Sequence, residues 1–244
     1  MPRYEKVRAV VVGSRPLGEA DRIAVLFTRE LGRADAVVKG VRKTSSRWGG
    51  RLEPFNVCDL VLFRGRSLFT VTSAQLVEMF KHLREEREAM TVAAVACEAA
   101  ATLFAPGEPE SGAFALLEAA LRTADEGVAG PALDAPLLLA ALVQMLAEAG
   151  LQPALDACVV CGTEDGLVGF AAGRGGVVCA RCLGDAAPLS PAALAALRAA
   201  ARRPLVELAA ASPSAAVAEG VRHAHGLYSY HTGLRLRALR FARH

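Results

Sequence analysis

Val7-Arg-Ala-Val-Val-Val-Gly-Ser14, Arg22-Ile-Ala-Val-Leu-Phe-Thr28 and Arg33-Ala-Asp-Ala-Val-Val38 are three short runs rich in Val and Ile. Arg15-Pro-Leu-Gly18 and Glu30-Leu-Gly32 separate them. Branched apolar runs of this length, bounded by Pro and Gly, read as β-strands. A polar loop, Lys39 to Glu53, leads to two more, Phe55–Phe63 and Leu68–Leu76, joined by the hairpin turn Arg64-Gly-Arg-Ser67. Five short strands in residues 1–80 predict a small closed barrel. The five-stranded OB-fold, an architecture that commonly binds oligonucleotides, is the leading form. An SH3-like barrel is the alternative, which strand count does not separate from it.

From Lys81 onward the pattern turns helical. Met90–Phe104, Ser111–Ala124 and Leu137–Ala149 are rich in Ala and Leu, strong helix formers, and are broken by Pro/Gly segments at 106–109 and 127–131. Asp134 with Pro136, Ser190-Pro191 and Ser212-Pro213 read as helix starts, and Gly150 with Pro153 as a stop. Pro213–Phe241 reads as helix weakened or divided by Gly220, Gly226 and Gly233. The expected organisation is a barrel over 1–80, an α-helical domain over 81–157 and 184–244, and a small module inserted at 158–183.

That module carries the most specific motif. Cys158-Val-Val-Cys161 and Cys179-Ala-Arg-Cys182 form C-x2-C-x17-C-x2-C. Two CxxC turns can complete a tetrahedral thiolate shell around zinc, and Leu167–Ala172 and Val177–Val178 suggest a hairpin that returns the second turn beside the first. Four thiolates leave no open position for substrate water, so one structural zinc ion is expected. Disulfides or a redox pair are the competing readings. Cys58 and Cys97 read as buried small hydrophobes.

Lys+Arg exceed Asp+Glu by only 3 over the chain, but the charge is segregated. Residues 1–80 hold 14 Lys+Arg against 8 Asp+Glu, residues 81–170 hold 4 against 14, and residues 222–244 hold 5 Arg and no acid. Local positive fields attract polyanions even on a near-neutral protein. Arg33, Lys39, Arg42, Lys43, Arg47 and Arg51 are opposed only by Asp35, and Trp48 lies among them. Cations there would neutralise phosphates while an exposed Trp48 would stack on bases; the bland reading is a solvated loop whose indole folds back onto the barrel. If four of the cations met single-stranded phosphates, log K would fall with log[salt] at a slope of about −3. At the other end Arg235, Leu236, Leu239, Arg240 and Arg243 suggest a helix with an apolar edge and a basic face, on which Arg235, Arg237 and Arg240 are candidate phosphate contacts. His223, His225, His231 and His244 are too irregularly spaced for a metal site.

Nothing in the sequence reads as an export signal. Arg3, Glu5, Lys6 and Arg8 interrupt the first ten residues. The longest apolar stretch, Leu137–Ala147, contains Gln144 and falls short of the ~20 residues that span a bilayer. A cytoplasmic protein with no membrane contact is expected. No GxxxxGK[ST], GxGxxG, HExxH or GxSxG motif is present, so catalysis is not expected.

These residues together resemble a known family. Gly18-Glu-Ala-Asp-Arg-Ile-Ala-Val-Leu-Phe-Thr28 running into Glu30-Leu-Gly-Arg33, then Val38-Lys-Gly-Val-Arg-Lys43 and Pro54-Phe55, is similar to the N-terminal signature of the RecO family, bacterial recombination mediators of DNA repair. The order of barrel, helical body, four-cysteine module and closing Tyr230-His-Thr-Gly-Leu-Arg-Leu-Arg-Ala-Leu239 agrees with it along the chain. The resemblance implies an OB-fold that binds single- and double-stranded DNA and anneals strands coated with single-strand-binding protein. It also implies action with RecR to load RecA, and association with the nucleoid during repair. Lys39, Arg42 and Lys43 match the family's basic motif; Arg47, Trp48 and Arg51 rest on the physical argument above. The rival class is a non-enzymatic interaction scaffold whose acidic helical body docks partners.

Overall fold

The chain is described by a computed structural model at residues 3–42, 46, 48 and 50–243, with backbone alone at 242 and 243. Strands β1 (Tyr4–Leu17), β2 (Asp21–Thr28), β3 (Gly32–Val38), β4 (Val57–Arg64) and β5 (Phe69–Glu78) fall where the Val- and Ile-rich runs lie. They close a barrel in the order β1-β2-β3-β5-β4. The length of β1 makes closure possible, because Tyr4–Val10 pair with β4 while Ala9–Leu17 pair with β2. The ladder to β2 is irregular between Val11 and Gly13, and such a bulge bends a strand around a small barrel. A short parallel contact, Ala36↔Phe69 and Val37↔Thr70, completes the circle. The OB-like expectation therefore holds.

Alternation along the strands sorts two sets of side chains. Val7, Ala9, Val11, Ala24, Leu26, Ala36, Leu60 and Leu62 point inward and form the barrel's own core. Val10, Phe27 and Val57 belong instead to the core of the helical body, where Phe27 meets Phe104 with ring centroids 5.4 Å apart. The β2–β3 turn seals this junction. Gly32 has φ +56°, and a Cβ there would sit 2.5 Å from the Glu108 carbonyl oxygen, so only glycine admits the close approach.

The body comprises α1 (Arg87–Leu103), α2 (Ser111–Glu126), α3 (Pro136–Glu148), α4 (Pro191–Arg202), the short α5 (Leu205–Ala209) and α6 (Ala215–Thr232). Helix α3 is buried from Pro136 through Val143, which explains why its sequence lacks a polar face. Its one interior polar residue, Gln144, donates to the carbonyls of Ala200 and Arg203 at 2.8 and 2.9 Å, satisfying the end of α4. Ser190 caps α4 through a 3.1 Å bond from the Ala193 amide, as its Ser-Pro pair predicts.

The last segment departs from expectation. Ser214, not Ser212, caps α6 by accepting from the Val217 amide, while Pro213 packs against Gly130. Gly220 and Gly226 do not divide the helix. Gly220 lets α3 and α4 close in: a Cβ there would lie 2.9 Å from Leu139 and 3.5 Å from Leu197. Gly233, in the left-handed region at φ +67°, ends it. The residues beyond form a 3-10 helix, Arg237–Arg243, instead of an α-helix. Leu236 just before it, and Ala238 and Leu239 within it, are buried, so the apolar edge is retained.

Candidate metal centre and nucleic-acid interface

The cysteine module is built by backbone tethers. The Cys158 amide donates to the Thr163 carbonyl and the Gly162 amide returns to the Cys158 carbonyl, both at 2.8 Å, folding the first CxxC into a tight turn. The Val159 amide donates to the Val177 carbonyl at 2.9 Å, fastening that turn to the hairpin of β6 (Leu167–Ala171) and β7 (Gly176–Cys179). Cys179, at the end of β7, thus comes beside the first pair, and Cys182 follows in a 3-10 turn. A two-residue strand β8 (Ala187–Pro188) pairs with β6 and completes the small sheet.

The four Sγ atoms lie within 4.8 Å of one another, with Cys161 and Cys179 3.7 Å apart. A tetrahedral ion at 2.3 Å from each sulfur requires sulfurs about 3.8 Å apart, so this donor set can hold a metal ion and suits zinc. The electrostatics point the same way. Burial opposes charge on Cys158, but hydrogen bonds from the backbone at Cys179, Cys161 and Val160 outweigh it and hold the thiol down at about 6. Cys182, hydrogen-bonded to Cys161, desolvated and crowded by the other sulfurs, is pushed up to about 12. A bound dication would favour ionisation of all four together. Cys58 and Cys97 are buried elsewhere; burial raises the Cys58 thiol to about 11, and its S–H donates to the Arg51 carbonyl at 3.1 Å.

The basic loop differs from expectation at its centre. Trp48 is not a stacking platform: only 3% of it is exposed, and its indole N–H donates to the Lys39 carbonyl at 2.8 Å. The cause lies in the barrel interior, where Ala9, Ala24, Ala34 and Ala36 leave volume that Trp48 and Leu52 fill. The loop is pinned further by Asp21, which accepts from the Gly40 amide at 2.8 Å, and by the buried Asn56, whose side chain donates to the carbonyls of Gly50 and Arg51. Lys39 and Arg42 are exposed on the outside, Arg42 donating to the Gly18 carbonyl at 3.1 Å, which joins this loop to the β1–β2 turn. Arg51 is also exposed and donates to the Trp48 carbonyl at 3.0 Å. Lys43 and Arg47 lie outside the described residues.

At the other terminus Arg235, Arg237 and Arg240 are exposed. Among the described residues neither Arg235 nor Arg240 has a carboxylate within 4 Å, whereas Arg237 pairs with Glu98 at 3.1 Å. Arg222, Arg235, Arg237 and Arg240 line a groove of about 600 Å³ between α6 and the terminal 3-10 helix. Arg237 and Arg240 also border a second cleft, of about 630 Å³, whose barrel wall carries Arg15 and Arg33. The two basic ends of the chain therefore meet at the seam between barrel and body. Arg15, Phe55 and Phe241 in this cleft were not among the candidate contacts, and Arg33 was grouped only with the loop cations, since strand positions 15 and 33 join positions 237–241 only through tertiary packing.

A closed OB-like barrel with a basic loop, carried on a helical body with a four-cysteine cluster, makes a two-part protein with a candidate metal site and a candidate nucleic-acid surface. Residues 1–80 match the family model described as Recombination protein O N terminal, and residues 84–240 match Recombination protein O C terminal. The chain is similar to the DNA repair protein RecO of a Nocardioides species, 42% identical over 189 residues, covering 74% of this chain and 75% of that one. It is 40% identical over 185 residues to the RecO of Cutibacterium acnes, with 75% of each chain covered. With the RecO of Rubrobacter xylanophilus it shares 37% identity over 211 residues, 83% of this chain and 82% of that one. The chain belongs to the RecO family of DNA repair proteins. Among the described residues no helix is long and apolar enough to cross a membrane.

Proposed function

We propose that this chain is a non-catalytic recombination mediator of the cytoplasm and nucleoid. It binds single- and double-stranded DNA, anneals complementary strands covered by single-strand-binding protein, and acts with RecR to load RecA. One structural zinc ion on Cys158, Cys161, Cys179 and Cys182 supports the fold. The observation that carries the reading is the meeting of Arg15 and Arg33 with Arg237 and Arg240 across one cleft, in a chain of this family.

Annealing needs no bond to be made or broken beyond base pairing; its barrier is the mutual repulsion of two phosphate backbones. A surface that neutralises both strands, with the Lys39–Arg42 corner holding one and the C-terminal arginines the other, lowers that barrier without nucleotide hydrolysis. The test is strand annealing by a variant with Lys39, Arg42 and Lys43 changed to Glu. The rate is expected to drop by at least about tenfold at moderate salt, since three phosphate contacts are replaced by repulsion. Full activity of that variant would remove these residues from the DNA path.

A further inference from the structure

The cleft at the barrel–body seam holds more than charge. Two aromatic rings line it, Phe55 from the barrel and Phe241 from the terminal turn, and Phe241 is 54% exposed. The Arg240 guanidinium lies 4.8 Å from the centroid of the Phe241 ring. Phe55 is held in an unusual backbone conformation, φ +74°, the only described non-glycine residue with positive φ. Three hydrogen bonds enforce it: the Phe55 amide to the Val11 carbonyl at 2.8 Å, and Arg84 to the Pro54 carbonyl at 2.9 Å and to Asn56 Oδ1 at 3.0 Å. Strain held this firmly at the wall of a cleft is a mark of a functional position.

The charges around the rings are ordered by their partners. Arg33 is braced, donating to the Ala101 carbonyl at 3.2 Å and pairing with Asp35. Arg15 also pairs with Asp35, at 3.1 Å, and Arg237 with Glu98, yet both side chains remain largely exposed. Among the described residues Arg240 has its contact with the Phe241 ring and no carboxylate within 4 Å. The cleft's volume of about 630 Å³ lies in the range of roughly 300–1,000 Å³ found for small-ligand pockets.

We propose that this cleft is a nucleotide subsite for single-stranded DNA, in which one unstacked base lies against Phe241 over a floor formed by Phe55, while Arg15, Arg237 and Arg240 take the flanking phosphates. The proposal rests on the DNA-binding reading above and adds to it a preference. A duplex keeps its bases stacked and offers the cleft only phosphates, whereas a single strand offers a free π-face. The exposed aromatic of the basic surface is thus Phe241, not Trp48.

The experiment uses the full-length, metal-loaded protein with a fluorescent single-stranded oligonucleotide and a blunt duplex of equal length, each titrated across a salt series. Phe241→Ala is expected to weaken single-strand binding roughly five- to hundredfold, the effect of one lost base stack, with duplex binding changed less than about twofold and Phe241→Trp restoring the native affinity. Arg240→Gln is expected to flatten the single-strand salt slope by about 0.7. Equal losses for single strand and duplex in Phe241→Ala, or no loss in either, would overturn the subsite. If the Lys39/Arg42/Lys43 variant loses binding while Phe241→Ala binds as the native protein does, DNA binding stands and the subsite falls. A native protein that retains neither oligonucleotide removes the DNA reading itself. Displacement of oligoglutamate by Phe241→Ala, with oligonucleotide binding intact, would give the cleft to an acidic protein segment and overturn the proposal.

Discussion

The cysteine module and the barrel's basic loop were both marked by residue type, and they came out differently. In the module, ligand identity and spacing carry the geometry: two short CxxC turns and a hairpin leave few ways to arrange four sulfurs, and they gather within 4.8 Å. In the loop, residue type under-determines position. Lys39 and Arg42 are outside, but the indole of Trp48, further along the loop, is drawn into the barrel because the strands supply alanines where a small barrel needs bulk. Local chemistry is decisive where the binding partner is a point ion. Where the alternative partner is the protein's own core, packing wins.

The largest effect is expected from the module. Cys158→Ser removes a buried thiol from the proposed zinc site; in small zinc peptides the metal contributes about 10–16 kcal/mol of apparent folding energy. Phe170, Val177 and Val178 of the same module are part of the core shared with the helices, so its loss is felt throughout the body. Zinc content measured by elemental analysis is expected to fall from one per chain to near zero, with a large drop in melting temperature; a strong chelator should reproduce the drop in the native protein. Cys97→Ala serves as the control that keeps its metal. Retention of zinc and native melting by Cys158→Ser would break the contrast on its firmer side.

Trp48 tests the other side. Truncating a buried Trp to Ala costs about 3–5 kcal/mol, so Trp48→Ala is expected to lower the denaturant midpoint sharply. As Trp48 is the only tryptophan, its fluorescence reports directly. Emission is expected to resist soluble quenchers and to change little when single-stranded DNA is added. Strong, saturating quenching by DNA would restore the indole to the binding surface.

Much of this was legible in advance. Strand alternation and turn residues located the barrel strands to within a few residues, since both depend on near neighbours. Ser190-Pro191 located α4 for the same reason. What stayed hidden was set by contacts between distant segments. Gly220 reads as a helix breaker until Leu139 and Leu197 are seen against it. Pro213 reads as a helix start until Gly130 is seen beneath its ring. The arginines at 15 and 33 belong to the same cleft as those at 237 and 240 only because α1 and the terminal turn are packed beside the barrel.

The smallest expected effect sharpens the comparison most, because it concerns charge alone. Glu98 on α1 accepts from the Arg237 guanidinium at 3.1 Å and from the Ala238 amide at 2.9 Å. It therefore both positions the terminal turn and cancels one of the cations in the cleft. Glu98→Gln keeps an oxygen for the Ala238 amide and removes the negative charge. The pair faces solvent through Arg237, 82% exposed, over a largely buried Glu98, and a solvent-screened pair of this kind is worth about 0.2–1 kcal/mol, so stability should change little. Single-strand affinity should rise roughly two- to fivefold at low salt, a change of the same energetic size. The salt slope should steepen, since Arg237 then meets its phosphate without competition from Glu98. A fall in affinity, with stability unchanged, would mean that Glu98 serves the cleft by aiming Arg237 and that the ion pair, not the free cation, is the form that meets DNA.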